Sequence, residues 1–192
     1  MPGSSADGLS DEALVAQAAA LRDRESFSML VTRHQAKVRG YLRQLSRDPA
    51  TADDLAQETF IRAWDKLASF SGKGRFLSWL LAIAHKQFLQ SVRKSKRDER
   101  LLEGLENESS VHGDEPGARP AATDSDQVDL PRLLSVLSEP ERTALVLAYG
   151  YGLSHGEIVE VTGMALGTVK SHVHRGKERI RKRFDPEQTD HA

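Results

Sequence analysis

Apolar residues recur every three or four positions through most of this chain, and no stretch alternates with the period of two that is typical of a half-buried strand. The helical pattern covers residues 10–100 and resumes over residues 130–184. Residues 101–129 have few apolar positions and are rich in Gly, Pro, Ser, Asp and Glu. The pattern therefore predicts an all-α protein in which two small helical domains are joined by a flexible acidic linker.

The C-terminal part of the pattern predicts two short helices separated by a turn. Ser154 and Glu157 have the spacing of a capping box, in which each side chain hydrogen-bonds the backbone amide of the other residue, so a helix begins there. Gly163 provides a position that tolerates positive φ, and a helical pattern resumes near Leu166. We expect this segment to form a helix-turn-helix.

The second of these helices has an apolar inner face with Val169, Val173 and Ile180, and a basic, hydrogen-bonding outer face. A helix with these two faces is suited to the major groove of DNA. The candidate DNA-contacting residues on the outer face are Lys170, Ser171, His174, Arg175, Lys177 and Arg181. Arg179 is also expected to meet the phosphate backbone.

A further helix precedes this motif, and Pro140 and Glu141 stand at its start, where proline is tolerated and an acid complements the helix dipole. Its apolar residues are expected to be core residues and not part of a site. They are Leu145, Val146, Leu147 and Tyr149.

In the N-terminal region, Asp48 can cap a helix whose first residue is Pro49. One face of this helix is predicted to be buried and carries Ala56, Phe60, Ala63, Trp64 and Leu67. The opposite face carries a polar row at the same spacing: Asp54, Gln57, Glu58, Arg62 and Asp65. Taken alone, such a row is typical of an ordinary solvated helix face.

Residues 70–75, FSGKGR, form a basic loop with two glycines that leads into another amphipathic helix. The inward-facing residues of that helix are predicted to be Phe76, Leu80, Ile83, Ala84 and Phe88. It ends in a basic run that begins at Arg93. A glycine-bearing basic loop beside a basic helix, with Trp79 nearby, can hold an unstacked base and follow phosphates.

The net charge of −1 conceals a strong segregation of charge. Residues 86–100 hold six basic and two acidic residues, residues 101–130 one basic and eight acidic, and residues 165–184 seven basic and one acidic. Two basic patches on either side of an acidic strip favour a nucleic-acid binder. There is no cysteine, which excludes disulfides and thiolate chemistry, and the absence of a long apolar run or a leader indicates a cytoplasmic protein without membrane insertion.

Three segments, taken in order, resemble the extracytoplasmic-function group of bacterial sigma factors: DDLAQETFIRAW, FLSWLLAIAHKQFLQSVRKSKR and EIVEVTGMALGTVKSHVHRGKERIRKR. The resemblance covers residues 10–184. It implies sigma region 2 over residues 10–100, a linker over residues 101–129 and sigma region 4 over residues 130–184. Such proteins bind core RNA polymerase and select promoters.

The resemblance also implies roles for individual residues. The polar row would dock on the polymerase through Asp54, Gln57, Glu58 and Arg62. Recognition of the melted minus-10 element would involve Lys73, Arg75, His85, Lys86 and Arg93. The outer face of the last helix would read the minus-35 duplex. The implied partners are bacterial core RNA polymerase, promoter DNA and an anti-sigma factor.

Three other interpretations stay open. A repressor or activator with the same helix-turn-helix would bind duplex DNA as a dimer at a palindromic site, although it would need neither the polar row nor the basic loop. A helical adaptor would bind polymerase without changing start sites. An enzyme is disfavoured because the histidines share no metal-ligand spacing and no nucleophile is paired with a base, so we expect no catalytic residue, cofactor or metal.

Overall fold

The computed structural model describes residues 8–72, 74–106 and 130–184, and every regular element within these ranges is helical. The prediction of an all-α protein is confirmed. The helices are α1 (Asp11–Leu21), α2 (Arg24–Ser46), α3 (Pro49–Lys66), α4 (Phe76–Glu106), α5 (Leu130–Ser135), α6 (Glu139–Leu145), α7 (His155–Thr162) and α8 (Leu166–Phe184). A 3-10 turn, Leu67–Ser69, follows α3, and a π-helical turn, Val146–Gly150, follows α6.

Short polar side chains start each of the first three helices by accepting hydrogen bonds from otherwise unpaired backbone amides. Ser10 Oγ accepts from the amide of Ala13 at 3.3 Å. The carboxylate of Asp23 accepts from two amides at the start of α2. Asp48 accepts from the amide of Thr51 at 2.8 Å, and Pro49 is the first residue of α3. The predicted cap at Asp48 is therefore confirmed.

Helices α1 to α4 pack into an N-terminal bundle around one apolar core. The predicted inner face of α3 is buried at Ala56 and Ala63 and half-buried at Phe60 and Trp64. The predicted inner face of α4 is buried as well, apart from half-buried Ile83. Its fully packed members are Phe76, Leu80, Ala84 and Phe88.

The C-terminal unit contains the predicted helix-turn-helix. Glu157 Oε2 accepts from the amide of Ser154 at 2.8 Å, and Ser154 Oγ accepts from the amide of Glu157, which is the capping box expected at the start of α7. Gly163 ends α7 with φ of 73°, and Val169 and Val173 bury the inner face of α8. Each of these predictions is confirmed.

Two details differ from the sequence-based expectation. Helix α4 continues to Glu106, into the start of the predicted linker, and residues 107–129 of that linker lie outside the described residues. Tyr149 was expected in the core, but its side chain is 64% exposed. The reason is the π-helical turn, which changes the helical register after buried Leu145 and directs Tyr149 outward.

Gly176 of α8 lies so close to α6 that a methyl group would collide with it. A Cβ built at Gly176 would be 2.6 Å from Leu145 Cδ1 and 3.5 Å from Glu141 Cβ. We expect Gly176→Ala to lower the free energy of unfolding by about 1–3 kcal/mol, measured by urea denaturation.

Gly167→Ala in the same helix is the matched control, because nothing lies within 4 Å of the added Cβ. This variant should be neutral or slightly stabilising, since alanine favours the helix more than glycine does. Equal stability of the two variants would contradict the close packing of α8 on α6.

Candidate nucleic-acid interface

The outer face of α8 is open to solvent. All six predicted DNA-contacting side chains on this helix are exposed: Lys170, Ser171, His174, Arg175, Lys177 and Arg181. The turn that presents α8 is closed by two hydrogen bonds, from the amide of Gly163 to the carbonyl of Val159 at 2.8 Å and from the amide of Met164 to Thr162 Oγ1 at 3.2 Å. A basic helix held in this way offers its face to a DNA groove.

Neighbouring side chains orient several of these cations. Arg175 lies 3.3 Å from His172 Nδ1, and Arg181 pairs with Glu178 at 3.2 Å. The ammonium group of Lys177 lies 5.7 Å from the centre of the Tyr149 ring, so this exposed aromatic side chain makes a cation–π contact with α8. Sequence reasoning missed Tyr149 because its spacing from Leu145 is that of a buried helix position.

Arg179, which is expected to meet the phosphate backbone, also makes a contact within the domain. Its guanidinium pairs with Glu141 Oε2 at 3.3 Å, and the Glu141 side chain is only 3% exposed. The same carboxylate accepts from the amide of Ser138 at 3.1 Å. Arg179 therefore joins α8 to the start of α6, and its side chain is 54% exposed.

The polar row of α3 faces outward. Asp54 and Gln57 are exposed, and Glu58 accepts a hydrogen bond from Arg62 Nε at 2.7 Å one helical turn away. Ile61 lies in the same row and is 59% exposed. Sequence reasoning missed Ile61, although its spacing of seven residues from Asp54 places it on the polar face.

An open groove of about 250 Å³ runs between α2 and α3 beside this row. Val31 and Gln35 line it from α2, and Gln57, Phe60 and Ile61 line it from α3. The exposed face of α3 therefore combines charge, an amide and an apolar edge.

The basic loop before α4 bends at Gly72 and Gly74, whose φ angles are 73° and 74°. Lys73, a predicted DNA-contacting residue, lies outside the described residues. Arg75 ends the loop, is exposed, and donates from Nη1 to the carbonyl of Gly152 at 3.3 Å. Lys86 and Arg93 are exposed on α4 and seven residues apart, so they share one helix face.

His85 does not belong with these cations in this structure. Its side chain is 5% exposed, and its Nδ1 lies 2.9 Å from the hydroxyl oxygen of buried Tyr41. Burial lowers the pKa of His85 from 6.5 to about 4, so the ring is neutral at physiological pH. The expectation that His85 contacts DNA is therefore corrected: it shares the buried face of Leu81 and Phe88, about 100° around the helix from Lys86.

No cluster of three or more His, Asp or Glu residues in the described part of the chain could hold a metal ion. Within the same ranges, no helix has both the length and the apolar character that crossing a membrane requires. The candidate surfaces are thus the outer faces of α3 and α8 and the basic side of α4 with its preceding loop.

Comparison with known families accounts for both helical domains. The sigma-70 region 2 family matches residues 30–98, and the sigma-70 region 4 family matches residues 127–180. The chain is 32% identical over 190 residues to the extracytoplasmic-function sigma-E factor of Haemophilus influenzae, covering 94% of this chain and 98% of that protein. This chain belongs to the extracytoplasmic-function sigma factors.

Other relatives agree with this assignment. The sigma factor is 33% identical over 171 residues to SigW of Bacillus subtilis, covering 84% of this chain and 90% of SigW. Among solved structures, the sigma factor RpoE of Bartonella quintana, crystallised with the anti-sigma factor NepR, has a TM-score of 0.67 at 28% identity and covers 84% of this chain. CnrH, solved with the cytosolic domain of CnrY, shares the fold with a TM-score of 0.65.

As a sigma factor, the protein directs promoter-specific initiation by RNA polymerase. The region 2 match covers most of α2, all of α3 and most of α4, and the region 4 match covers α5, α6, α7 and most of α8. A repressor or activator built on the helix-turn-helix alone does not account for the region 2 match, which spans α3 and most of α4. Sigma factors as a class are initiation factors and not enzymes.

The pH dependence of stability tests the burial of His85. The folded protein holds His85 neutral down to about pH 4, whereas the unfolded chain takes up a proton near pH 6.5. The unfolded state therefore binds more protons between these values, so the contribution of His85 is complete above pH 6.5 and is lost as the pH falls toward 4.

We expect the wild type to lose about 3 kcal/mol more stability between pH 7 and pH 4 than His85→Asn, whose amide keeps a hydrogen-bonding group near Tyr41. Urea denaturation of both proteins across this range measures the difference. Parallel stability profiles would show that His85 is not buried as described.

Proposed function

We propose that the outer face of α8 reads the minus-35 element as duplex DNA, and this exposed basic face is the observation that carries the proposal. Lys170, Ser171, His174 and Arg175 lie toward the start of the helix, where recognition helices meet base edges. Lys177 and Arg181 follow Arg175 by two and six residues and bind phosphates. This division assigns base discrimination to the first half of α8 and most of the salt-dependent affinity to the second half.

Region 2 supplies the second DNA contact in this proposal. Lys73, Arg75, Lys86 and Arg93 hold the non-template strand of the opened minus-10 element. Extracting a base from the duplex stack costs a few kcal/mol, so binding of the exposed base and its phosphates must offset that cost. His85 supports this surface indirectly by packing α4 against Tyr41 of α2.

The third surface is the docking face for core polymerase on α3. Asp54, Gln57, Glu58 and Arg62 would make the polar contacts, and Ile61 adds an apolar contact in the same row. The groove of about 250 Å³ beside this row, lined by Gln57, Phe60 and Ile61 of α3, supports this assignment. The sigma factor then acts without a reaction of its own, because the polymerase performs the catalysis.

An anti-sigma factor is the proposed regulatory partner. The Bartonella quintana relative was crystallised with the anti-sigma factor NepR, and we extend that type of partnership to this chain. The chain contains no cysteine, so a thiol-based signal would have to act on the partner. The proposed location of both is the cytoplasm, where the polymerase works.

Transcription from a promoter library by purified core polymerase, with and without the sigma factor, tests the proposal. New discrete start sites that share two upstream elements are expected when the protein is added. Tight binding to DNA without new start sites would contradict the proposal.

Charge reversal tests the α3 face. We expect Asp54→Lys combined with Glu58→Lys to weaken binding to core polymerase about tenfold or more, because it reverses two charges and adds a cation beside Arg62. Fluorescence anisotropy of labelled protein titrated with core polymerase measures the effect. Glu12→Lys combined with Glu160→Lys makes the same change of charge at two exposed sites elsewhere; equal losses in both double variants would refute a specific docking face.

Single substitutions on α8 separate base reading from phosphate binding. We expect Arg175→Ala to cost about 1–3 kcal/mol of binding to minus-35 duplex and to relax base preference, whereas Lys177→Ala weakens all sequences similarly and reduces the salt slope by about 1. Arg179→Ala is the contrast, since its partner is Glu141: it should lower stability and leave the salt slope unchanged. A reduced salt slope of DNA binding for Arg179→Ala would show that Arg179 contacts DNA phosphates.

A further inference from the structure

The basic loop before α4 is closed at its base by aromatic side chains. Phe70 and Phe76 stand on either side of residues 71–75, and their rings meet edge to face with 5.5 Å between centroids. Trp79, in the first turn of α4, packs on both rings at 5.6 Å from each. These three residues form an aromatic cluster. Aromatic pairs at such distances attract one another beyond the burial of their area, so the cluster holds the two ends of the loop together.

The middle of the loop is weakly constrained by its surroundings. Gly72 and Gly74 both have positive φ, and glycine loses more backbone freedom on ordering than any other residue. Among the described residues, no atom lies within 4 Å of a Cβ built at either glycine. The position of the loop therefore depends strongly on the side chains that hold its two ends.

The aromatic cluster extends inward to His34 of α2. Phe70 and Trp79 are half-buried, whereas Phe76 is 2% exposed and His34 is 6% exposed. The ring of His34 meets the ring of Phe76 edge to face, with 5.6 Å between centroids. The cluster is thus open to solvent on the side of the loop and ends within the bundle at a polar ring.

One carboxylate fixes the orientation of the His34 ring. Asp11 of α1 places Oδ2 2.6 Å from His34 Nε2 and Oδ1 3.3 Å from Arg33 Nη1. A carboxylate only accepts hydrogen bonds, so His34 Nε2 is the donor. His34 Nδ1 is buried and has no hydrogen-bond partner among the described residues. Within that part of the chain, Asp11 therefore provides the hydrogen bond that holds this ring.

Helix α1 supports the other end of the loop as well. It packs against the 3-10 turn Leu67–Ser69, which leads directly into Phe70. The start of α1 is tied to α2 by Arg33 Nη1, which donates to the carbonyl of Leu9 at 2.6 Å. Helix α1 thus contacts the segment before the loop directly and the segment after it through His34.

We propose that Asp11 positions the basic loop for base capture by holding the His34 ring against Phe76 and so fixing the aromatic cluster. The inference rests on the proposed role of this loop in binding the opened minus-10 strand. Asp11 acts through His34, so it is a positioning residue and not a DNA-contacting one. Without Asp11, the buried ring loses its hydrogen bond and turns, and Phe76 loses the edge contact that sets its place.

The proposed effect is specific to the captured base. An unstacked base needs an ordered aromatic surface and a pocket of fixed shape, whereas phosphates need only nearby cations. Lys86 and Arg93 are exposed on α4, away from the aromatic cluster. Loss of Asp11 should therefore weaken the contribution of the base and leave that of the phosphates.

Holoenzyme reconstituted from core polymerase and the full chain tests the inference. The probe is a fluorescent single-stranded oligonucleotide with the non-template minus-10 segment of a promoter obtained by start-site mapping, together with versions that carry one abasic site each. The captured base is the position at which an abasic site weakens wild-type binding most. The readout is the ratio of dissociation constants, abasic to intact, because a lower fraction of folded protein affects both constants equally.

We expect a wild-type ratio of about 5 or more, the effect of stacking one base on aromatic side chains, and a ratio about 3-fold lower in Asp11→Ala. Asp11→Asn should keep most of the wild-type ratio, because its amide oxygen still accepts from His34. Glu12→Ala is the matched control, since Glu12 is exposed and is the other acidic residue in the first turn of α1. It removes the same charge from the helix start and should leave the ratio unchanged.

A double variant shows whether Asp11 acts through His34. His34→Leu fills the space but removes both the ring and the hydrogen bond, so it should lower the ratio about as much as Asp11→Ala. Asp11→Ala also removes the ion pair with Arg33. If the contact with His34 is what matters, Asp11→Ala combined with His34→Leu should lower the ratio no further than His34→Leu alone.

An unchanged ratio in Asp11→Ala, or an equal fall in Glu12→Ala, would overturn the positioning role. Effects that multiply in the double variant would overturn the path through His34. Failure of the proposed function has a different signature, because wild-type holoenzyme would then bind every abasic probe as tightly as the intact one.

Discussion

The carboxylate of Glu157 is the interaction on which the relation between the two domains depends. One oxygen accepts from the amide of Ser154 and so defines the first turn of α7, while the other accepts from Ser78 of α4. Burial acts to raise the pKa of Glu157, but hydrogen bonds from Ser154 and Ser78 and the charge of Arg75 outweigh it and lower the pKa below its ordinary value. The group is therefore an anion at neutral pH, and it starts the helix-turn-helix at the point where that motif touches region 2.

Helix α4 contributes to the core, to the contact with α7 and to the exposed basic surface, because each of its faces has a different neighbour. Its apolar positions complete the core of the N-terminal bundle, Ser78 meets α7, and Lys86 and Arg93 remain in solvent. Because the core, α7 and the solvent each constrain one face, few substitutions near the start of α4 are expected to be tolerated. His85 is an example, because it lies on the buried face of α4. Burial lowers its pKa to about 4, so the ring is neutral and packs within the bundle.

The three proposed binding surfaces differ in exposure. The face of α3 and the outer face of α8 are open while the domains are in contact, whereas Arg75 is engaged by the carbonyl of Gly152. The surfaces proposed for polymerase and for duplex DNA are therefore both exposed, whereas Arg75 of the surface proposed for single-stranded DNA already has a hydrogen-bond partner within the chain.

Local signals in the sequence determined the helices and their ends. The caps at Asp48 and Ser154, the turn at Gly163 and the apolar spacing of α8 depend on residues within one or two helical turns, so they could be inferred without knowledge of the fold. The polar row of α3 and the exposed face of α8 were predictable for the same reason. Ile61 was missed although it fits the same period, because an apolar side chain is expected on the buried face of a helix and not within a polar row.

Only the tertiary structure decided which side chains meet across long separations in sequence. Nδ1 of His85 lies next to the hydroxyl of Tyr41, Arg179 pairs with Glu141, and the hydroxyl of Tyr151 donates to the carbonyl of Lys37. No periodicity encodes these pairs, because each depends on how two helices are placed after they have formed. The sequence by itself therefore determined the helices, their faces and the family, while the packing of α4 on α2 and of α8 on α6 decided that His85 is buried and that Arg179 has a partner within the domain.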